Sequence, residues 1–331
     1  MLFIYISLLL NFILIFYFKK LSQIINLFDV PDNKRKFHKK PTAAIGGFVI
    51  LLNVFAFFTY QSYQYFFQYL DFKYNNYFDF LIFYLFFFLF FIIGYLDDKL
   101  SLGPNLKLLL FSIFSVSILL LTNNLALSSI EFSFLEKSID MGSTSIAFTV
   151  LCILLFVNAF NMFDGINLQS SIYSLHIFII FILQGIFIDI SAVMIVSLLF
   201  FSYLNFKNKC FLGNNGSLAI AFVIAYLFIK SQSSNHPFFA DEIFLAMQIP
   251  GIDLIRLAIE RTIAKKHPFY PDRNHIHHIL MKKYGYQKTL FFLSCLIIVP
   301  NFLSTLYGNT IYYIVFSFIV YFFILFKLKK N

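Results

Sequence analysis

Long apolar runs separated by short polar stretches occupy the chain from its second residue almost to its last. Within each run the apolar positions are continuous rather than alternating. Each is longer than a buried strand requires, so each predicts a helix hydrophobic on all sides. Hydropathy places spans near 2–18, 44–60, 79–96, 105–122, 144–160, 169–185, 188–205, 217–229, 240–259, 289–306 and 309–327. A bilayer crossing takes about 20 residues, so the pattern predicts an all-α, polytopic integral membrane protein of about eleven transmembrane helices. The eighth span is short, and the connection between the sixth and seventh is tight. The longest polar loops are 19–43 and 260–288. There is no internal repeat, no Pro- or Ser-rich linker and no appended soluble stretch, so residues 1–331 are expected to form a single membrane-embedded domain.

Composition sharpens this. Of 331 residues, 60% are hydrophobic, 21% aromatic and only 12% charged, with a mean hydropathy of +0.80. A soluble domain carries about 25% charged residues. Half that share cannot cover a water-facing surface, which excludes a soluble globule and equally a disordered chain or a disulfide scaffold. Cys152, Cys210 and Cys295 are scattered and suit membrane packing better than a thiolate metal site. The first apolar run has no basic residue before it and no small-residue cleavage site, and Lys19 and Lys20 follow it. It reads as a retained first helix rather than a removable leader.

Charge then orients the spans. Of 25 Lys and Arg residues, 22 fall in one set of alternate loops, leaving Lys73, Lys137 and Lys230 on the other side. Basic loops stay cytoplasmic, so the expectation is an N-terminus outside and a C-terminus in the cytoplasm. The net charge of +9 is mainly this topology signal. It also suits a lipid bilayer with anionic headgroups and an anionic substrate, with nucleic acid a poor partner.

The polar residues inside or beside the apolar runs gather on that basic side. Asp97 and Asp98 end the third span, and two adjacent carboxylates repel, which raises one pKa or calls for a cation. Lys107 opens the fourth span. Asn158, Asn161 and Asp164 recur at helical spacing and form a polar stripe, with Asn167 just beyond. That stripe is either interhelical glue or a cavity rim. Gly213-Asn214-Asn215-Gly216-Ser217 opens the eighth span, where backbone N–H groups cap a helix or meet phosphate. Arg273, His275, His277 and His278 lie in the last long basic loop, able to bind phosphate, move protons or simply be solvated; zinc lacks a fourth ligand. Carboxylate and amide oxygens suit a hard divalent cation, and the basic groups suit phosphate. Together they fit phosphoryl transfer at a membrane boundary.

Arg35-Lys36-Phe37-His38 with Pro41 and Gly46-Gly47, Asp97-Asp98-Lys99 with Lys107, Asn158 to Asn167, Gly213 to Ser217, and Asp272-Arg273 with His275-Ile276-His277-His278 follow one another in order. In this they resemble the polyprenyl-phosphate N-acetylhexosamine-1-phosphate transferases, relatives of the phospho-N-acetylmuramoyl-pentapeptide transferases, over roughly residues 30–290. The resemblance implies an Mg2+ enzyme (Mn2+ being the usual substitute) of the inner, cytoplasmic membrane. Such an enzyme moves a sugar-1-phosphate, such as N-acetylglucosamine-1-phosphate, from a UDP-sugar to undecaprenyl phosphate and releases UMP, at the start of cell-envelope polysaccharide synthesis such as O-antigen. It implies catalytic Asp97, Asp98 and Lys107, and Asn161 and Asn214 beside the metal. It also implies substrate contacts from Arg35, His38, Asn158, Asp164, Asn167, Arg273, His275, His277 and His278. The His-x-His-His spacing is closer to the N-acetylhexosamine branch than to the muramoyl-pentapeptide branch. Two positions depart from the family pattern: Asn214 stands where the family usually has a ligand Asp, and Asn167 where many members have Asp. Asn offers an oxygen but no charge, which implies weaker Mg2+ binding. The alternatives are a catalytically degenerate member, or a transporter of an anionic or lipid-linked solute. Transporters place their polar sites near the midplane and show inverted repeats; this chain has neither.

Overall fold

The computed structural model describes residues 2–31, 40–67, 77–122, 124–232, 238–268 and 272–329. Eleven α-helices run in chain order among them: α1 Leu2–Ile25, α2 Gly46–Phe67, α3 Tyr77–Leu100, α4 Pro104–Leu121, α5 Ser145–Phe163, α6 Gln169–Leu183, α7 Ile188–Phe206, α8 Gly213–Ser231, α9 Ala240–Ile263, α10 Ile276–Tyr307 and α11 Thr310–Lys329. One helix stands at each expected span, so the chain is an all-α, multi-pass membrane protein. Nine of the helices are long and apolar enough to cross a bilayer by length and composition. Helix α6, with 15 residues, rises only about 22 Å. Helix α9 is long enough but is interrupted by Asp253, Arg256, Glu260 and Arg261.

Two helix starts differ from the hydropathy reading. Helix α8 begins at Gly213 because its first turn, Gly213-Asn214-Asn215-Gly216, is helical without being apolar. Helix α10 begins at Ile276 and changes direction at Gly285, whose φ of 76° and ψ of 173° leave the helical region. The expected loop 260–288 is therefore mostly helix, and His275, His277 and His278 sit on the N-cap and first turn of α10 rather than in a loop. The first turns of both helices are polar, and hydropathy cannot see a polar helical turn.

The helices form two compact units. The first comprises Met1–Leu125 and Ser174–Leu227. In it α1, α2 and α7 pack together, and α3 packs on α4 and α2. Helix α8 is an interior helix, 83% of its apolar window being buried. Phe90 of α3 stacks on Phe222 of α8 at 4.9 Å and on Phe111 of α4 at 5.5 Å. Buried Asn11 and Asn53 exchange hydrogen bonds of 2.8 and 3.1 Å between α1 and α2, and Ser7 also donates to Asn53. Such a satisfied polar pair joins helices in lipid. A two-residue ribbon pairs Phe28–Asp29 (β1) with Thr42–Ala43 (β2). Beyond it Gly46 and Gly47 donate their amides to the carbonyls of Phe211 and Leu212. A Cβ on Gly47 would strike Asn215 and the backbone of Gly216. The glycine pair thus lets the start of α2 lie backbone-to-backbone on the start of α8.

The second unit comprises Ala126–Tyr173 and Phe228–Asn331, with α9 packed against α5, α10 and α11. The hairpin of Ser129–Ile130 (β3) and Ile139–Asp140 (β4) closes the start of α9. Ser133 donates its amide and hydroxyl to Asp241 at 2.8 and 2.5 Å, and Ala240 donates to Glu131. Pro250 lies inside α9 and has no N–H for the carbonyl of Ala246, four residues back. That carbonyl accepts the Tyr173 hydroxyl at 3.0 Å instead.

Candidate active site

Two clusters of polar side chains stand out, one in each unit. In the first, the tight turn after α3 and Pro104 at the first position of α4 bring Lys107 back to Asp97. The Lys107 Nζ donates to Asp97 Oδ2 at 2.9 Å, with the two side chains 23% and 6% exposed. Asp98, one residue on, turns to α8. Its Oδ1 accepts the Asn214 amide at 2.9 Å, and its Oδ2 accepts the Asn215 amide at 3.0 Å and the Asn215 side-chain amide at 2.5 Å. One turn earlier, Gly94 permits this approach, since a Cβ there would meet the Asn214 carbonyl and Asn215 Cα. Each of the adjacent carboxylates has its own electropositive partner: an ammonium for Asp97 and the positive end of a helix for Asp98. On sequence the amides opening α8 are open to capping or to phosphate, and in the structure two of them are capped. Those of Asn214 and Asn215 already serve Asp98, because a fixed carboxylate from α3 occupies the anion position.

The second cluster joins the end of α5 to the start of α10. Asn158 donates back to the Leu154 carbonyl of its own helix at 2.7 Å. Asn161 and Asn158 are half-buried. Asp164 caps the C-terminus of α5, and its Oδ1 accepts the Ser170 hydroxyl at 2.6 Å. The Asn167 carbonyl accepts the Tyr286 hydroxyl at 3.1 Å. A Cβ on Gly165 would collide with the His277 ring, so α5 can end against α10 only through a glycine. His277 is 1% exposed, and neither ring nitrogen has a hydrogen-bond partner among the described residues. A buried imidazole left unsatisfied is expensive. His275 lies parallel to it at 5.3 Å, and His278 meets it edge-on at 4.2 Å.

Residues 80–232 match the family described as glycosyl transferase family 4. The chain is 27% identical over 271 residues to the probable undecaprenyl-phosphate N-acetylglucosaminyl 1-phosphate transferase of Bacillus subtilis (strain 168), covering 80% of this chain and 72% of that one. It is 25% identical over 280 residues to the undecaprenyl-phosphate alpha-N-acetylglucosaminyl 1-phosphate transferase of Escherichia coli (strain K12), covering 81% and 72%. The corresponding transferase of Salmonella typhimurium (strain LT2) is 25% identical over 282 residues, covering 82% and 73%. Over residues 80–232 the chain is similar to glycosyl transferase family 4.

The stretch matched to family 4 holds Asp97, Asp98, Lys107, the Asn158–Asn167 segment and Asn214. Arg35 and His38 lie outside the described residues. Of the remaining expected site residues, Asp97, Asp98, Lys107 and Asn214 come together in the first unit. Asp164 and His277 come together in the second, through Gly165, with His275 and His278 beside them. The sequence reading missed the residues that hold the histidine segment in place. Asp253 and Arg256 of α9 and Tyr321 of α11 form a buried ionic network against His275. Arg261 donates to Asp272 at 2.9 Å and to the Pro268 carbonyl at 2.7 Å, fixing the connection before α10. Burial alone would raise the Asp272 carboxyl, but Arg261 and the Asn274 amide hold it below the ordinary carboxylate range. A signal was present: Asp253 and Arg256 interrupt an apolar run three residues apart, and ionisable groups in such a run mark function or pairing.

Proposed function

We propose that this protein transfers a sugar-1-phosphate, with N-acetylglucosamine-1-phosphate the first candidate, from a UDP-sugar to undecaprenyl phosphate in the inner membrane of a bacterium. The relatives' names support the acceptor and the transferred group. The observation that carries the reading to particular residues is the division of labour between Asp97 and Asp98. Both oxygens of Asp98 are committed to α8. Asp97 has one oxygen on Lys107, and its Oδ1 has no hydrogen-bond partner among the described residues.

In the reaction an oxygen of undecaprenyl phosphate forms a bond to the sugar-bearing phosphorus of the donor. The bond from that phosphorus to the bridging oxygen breaks, and the bridging oxygen leaves with UMP. Lys107 stabilises the charge that develops on the departing phosphate. Asp97 holds Lys107 in place and offers Oδ1 to a residual proton on the acceptor phosphate, which is already largely ionised at neutral pH. His275, His277, His278 and Arg273 bind the diphosphate and sugar, and Asp164 with Asn167 the nucleoside.

The donor chemistry fits Mg2+, which takes oxygen ligands and commonly uses one or two carboxylates plus substrate phosphates. In the first unit Asp97 and Asn214 offer such oxygens; among the described residues no three His, Cys, Asp or Glu side chains gather into a self-sufficient metal cage. Bound Mg2+ would neutralise phosphate charge as the nucleotide leaves.

The test is UMP release by the full-length protein in membranes supplied with undecaprenyl phosphate and a panel of UDP-sugars, with and without Mg2+. Magnesium-dependent turnover of a UDP-N-acetylhexosamine is expected. No turnover with any sugar, beside a competent relative, would favour a degenerate member, the reading that Asn214 otherwise supports. Asn214→Asp should keep or raise activity at low Mg2+; a strong loss would remove Asn214 from the metal role.

A further inference from the structure

Asp253 lies in the second unit, 3% exposed, one turn beyond the Pro250 break in α9. Its carboxylate is surrounded by donors. Oδ1 accepts the Tyr321 hydroxyl at 2.7 Å, Arg256 Nη2 at 2.7 Å and the Ile276 amide at 3.2 Å. Oδ2 faces His275 Nδ1 at 2.9 Å. Arg256 also donates Nε to the Tyr321 oxygen at 3.0 Å and Nη2 to the Asn274 carbonyl at 2.7 Å. Thus α9 and α11 together hold both backbone and side chain at the start of α10.

The chemistry of this set decides the position of a proton. An ionised carboxylate only accepts, and an arginine and a tyrosine hydroxyl both donating to Asp253 favour its ionised form. Contact at 2.9 Å with a second acceptor would be repulsive, so the hydrogen must sit on His275 Nδ1. This holds whether the imidazole is neutral or charged. The other nitrogen, Nε2, is then the atom left to face a ligand. The His275 plane is fixed as well, and His277 stacks on it at 5.3 Å with rings 10° apart. His277 in turn rests on Gly165, next to Asp164.

We propose that Asp253 is a positioning residue that acts through His275. It locks the imidazole as the Nδ1–H form, so that Nε2 faces the donor substrate as a hydrogen-bond acceptor for a sugar hydroxyl or amide N–H. Arg256 and Tyr321 hold Asp253 itself in register. The ligand part of this inference rests on the proposed transferase reading, whereas the tautomer does not.

The decisive experiment is imidazole 15N NMR of the full-length protein in nanodiscs at neutral pH, with the His275 signals assigned by their loss in His275→Gln. The expected wild-type result is a proton on Nδ1. A bare Nδ1 with the proton on Nε2 overturns the proposal, and this reading needs neither turnover nor a folded Asp253 variant. In Asp253→Asn the amide can donate to Nδ1, so the proton should move to Nε2; an unchanged spectrum in folded protein also overturns it. For transfer activity, Asp253→Asn should lose on the order of 10–100-fold, as outer partners of functional histidines do. Asp253→Glu should recover part of that. In a His275→Gln background Asp253→Asn should lose nothing further, because the two act as one unit. Independent, multiplying losses would show that Asp253 acts otherwise. A correct tautomer in a protein that turns over no UDP-sugar would fail the transferase reading alone.

Discussion

Lys107 and Asp97 form the pair on which the first cluster depends, and its worth follows from burial. Removing one partner of a fully buried pair costs about 3–5 kcal/mol. Lys107 keeps 23% of its side chain exposed, so solvent screening lowers the expected cost of Lys107→Met to roughly half of that. Thermal unfolding in detergent should show the loss, and Asp97→Asn should restore part of it in the double variant. Both variants should be inactive. A full loss of stability unrelieved by Asp97→Asn would mean that Lys107 serves some other group. A second residue-scale effect lies at Asp272. Its carboxyl is depressed in the folded protein, against an unfolded value of about 3.9. Its contribution is therefore complete above that value and fades as the pH falls through the folded one. Protection of the Asn274 amide, which donates to Asp272 at 2.9 Å, measured against its intrinsic exchange rate at each pH, should be high at neutral pH and fall in acid. Arg261→Gln should lower it at neutral pH; protection indifferent to both changes would refute the pairing.

Among the elements, α8 shows most clearly how a helix is placed by one side chain. The carboxylate of Asp98 arrives from α3 to bind two amides of its first turn. A cap of this kind is worth about 0.5–2 kcal/mol. Asp98→Ala should therefore lower the melting temperature. Gly94→Ala should do so by another route, since its methyl would push the Asn214 carbonyl away at an overpacking cost of about 1–3 kcal/mol. Melting unchanged in both would mean that α8 is placed by its apolar flank alone. The hydropathy pattern located all eleven helices, because a continuous apolar run of this length has few alternatives in lipid. It misjudged the starts of α8 and α10, because those turns are held by Asp98 and by Asp253, which lie 116 and 23 residues away from the amides they bind.

For the molecule as a whole, the basic-loop asymmetry predicts sidedness. In a cysteine-free background, Lys99→Cys, Lys207→Cys and Lys265→Cys should resist an impermeant thiol reagent added outside the cell, while Lys137→Cys should react. Lys99 and Lys137 reacting from the same face would overturn the orientation, since α4 lies between them in the chain.

Class, number of helices and the chemical character of the site were determined by the sequence alone. Apolar length and charge bias act locally and survive without knowledge of neighbours, and motif order does not depend on geometry. Only the tertiary structure decided which partner each carboxylate binds. Asp97 and Asp98 are adjacent and identical in type, and nothing local tells them apart. One meets an ammonium ten residues on and the other a helix start more than a hundred residues on. The same holds for Asp253 and Tyr321, whose importance to His275 arises from packing between helices far apart in the chain. A hydrogen bond between distant residues leaves no period and no spacing for a linear reading to find.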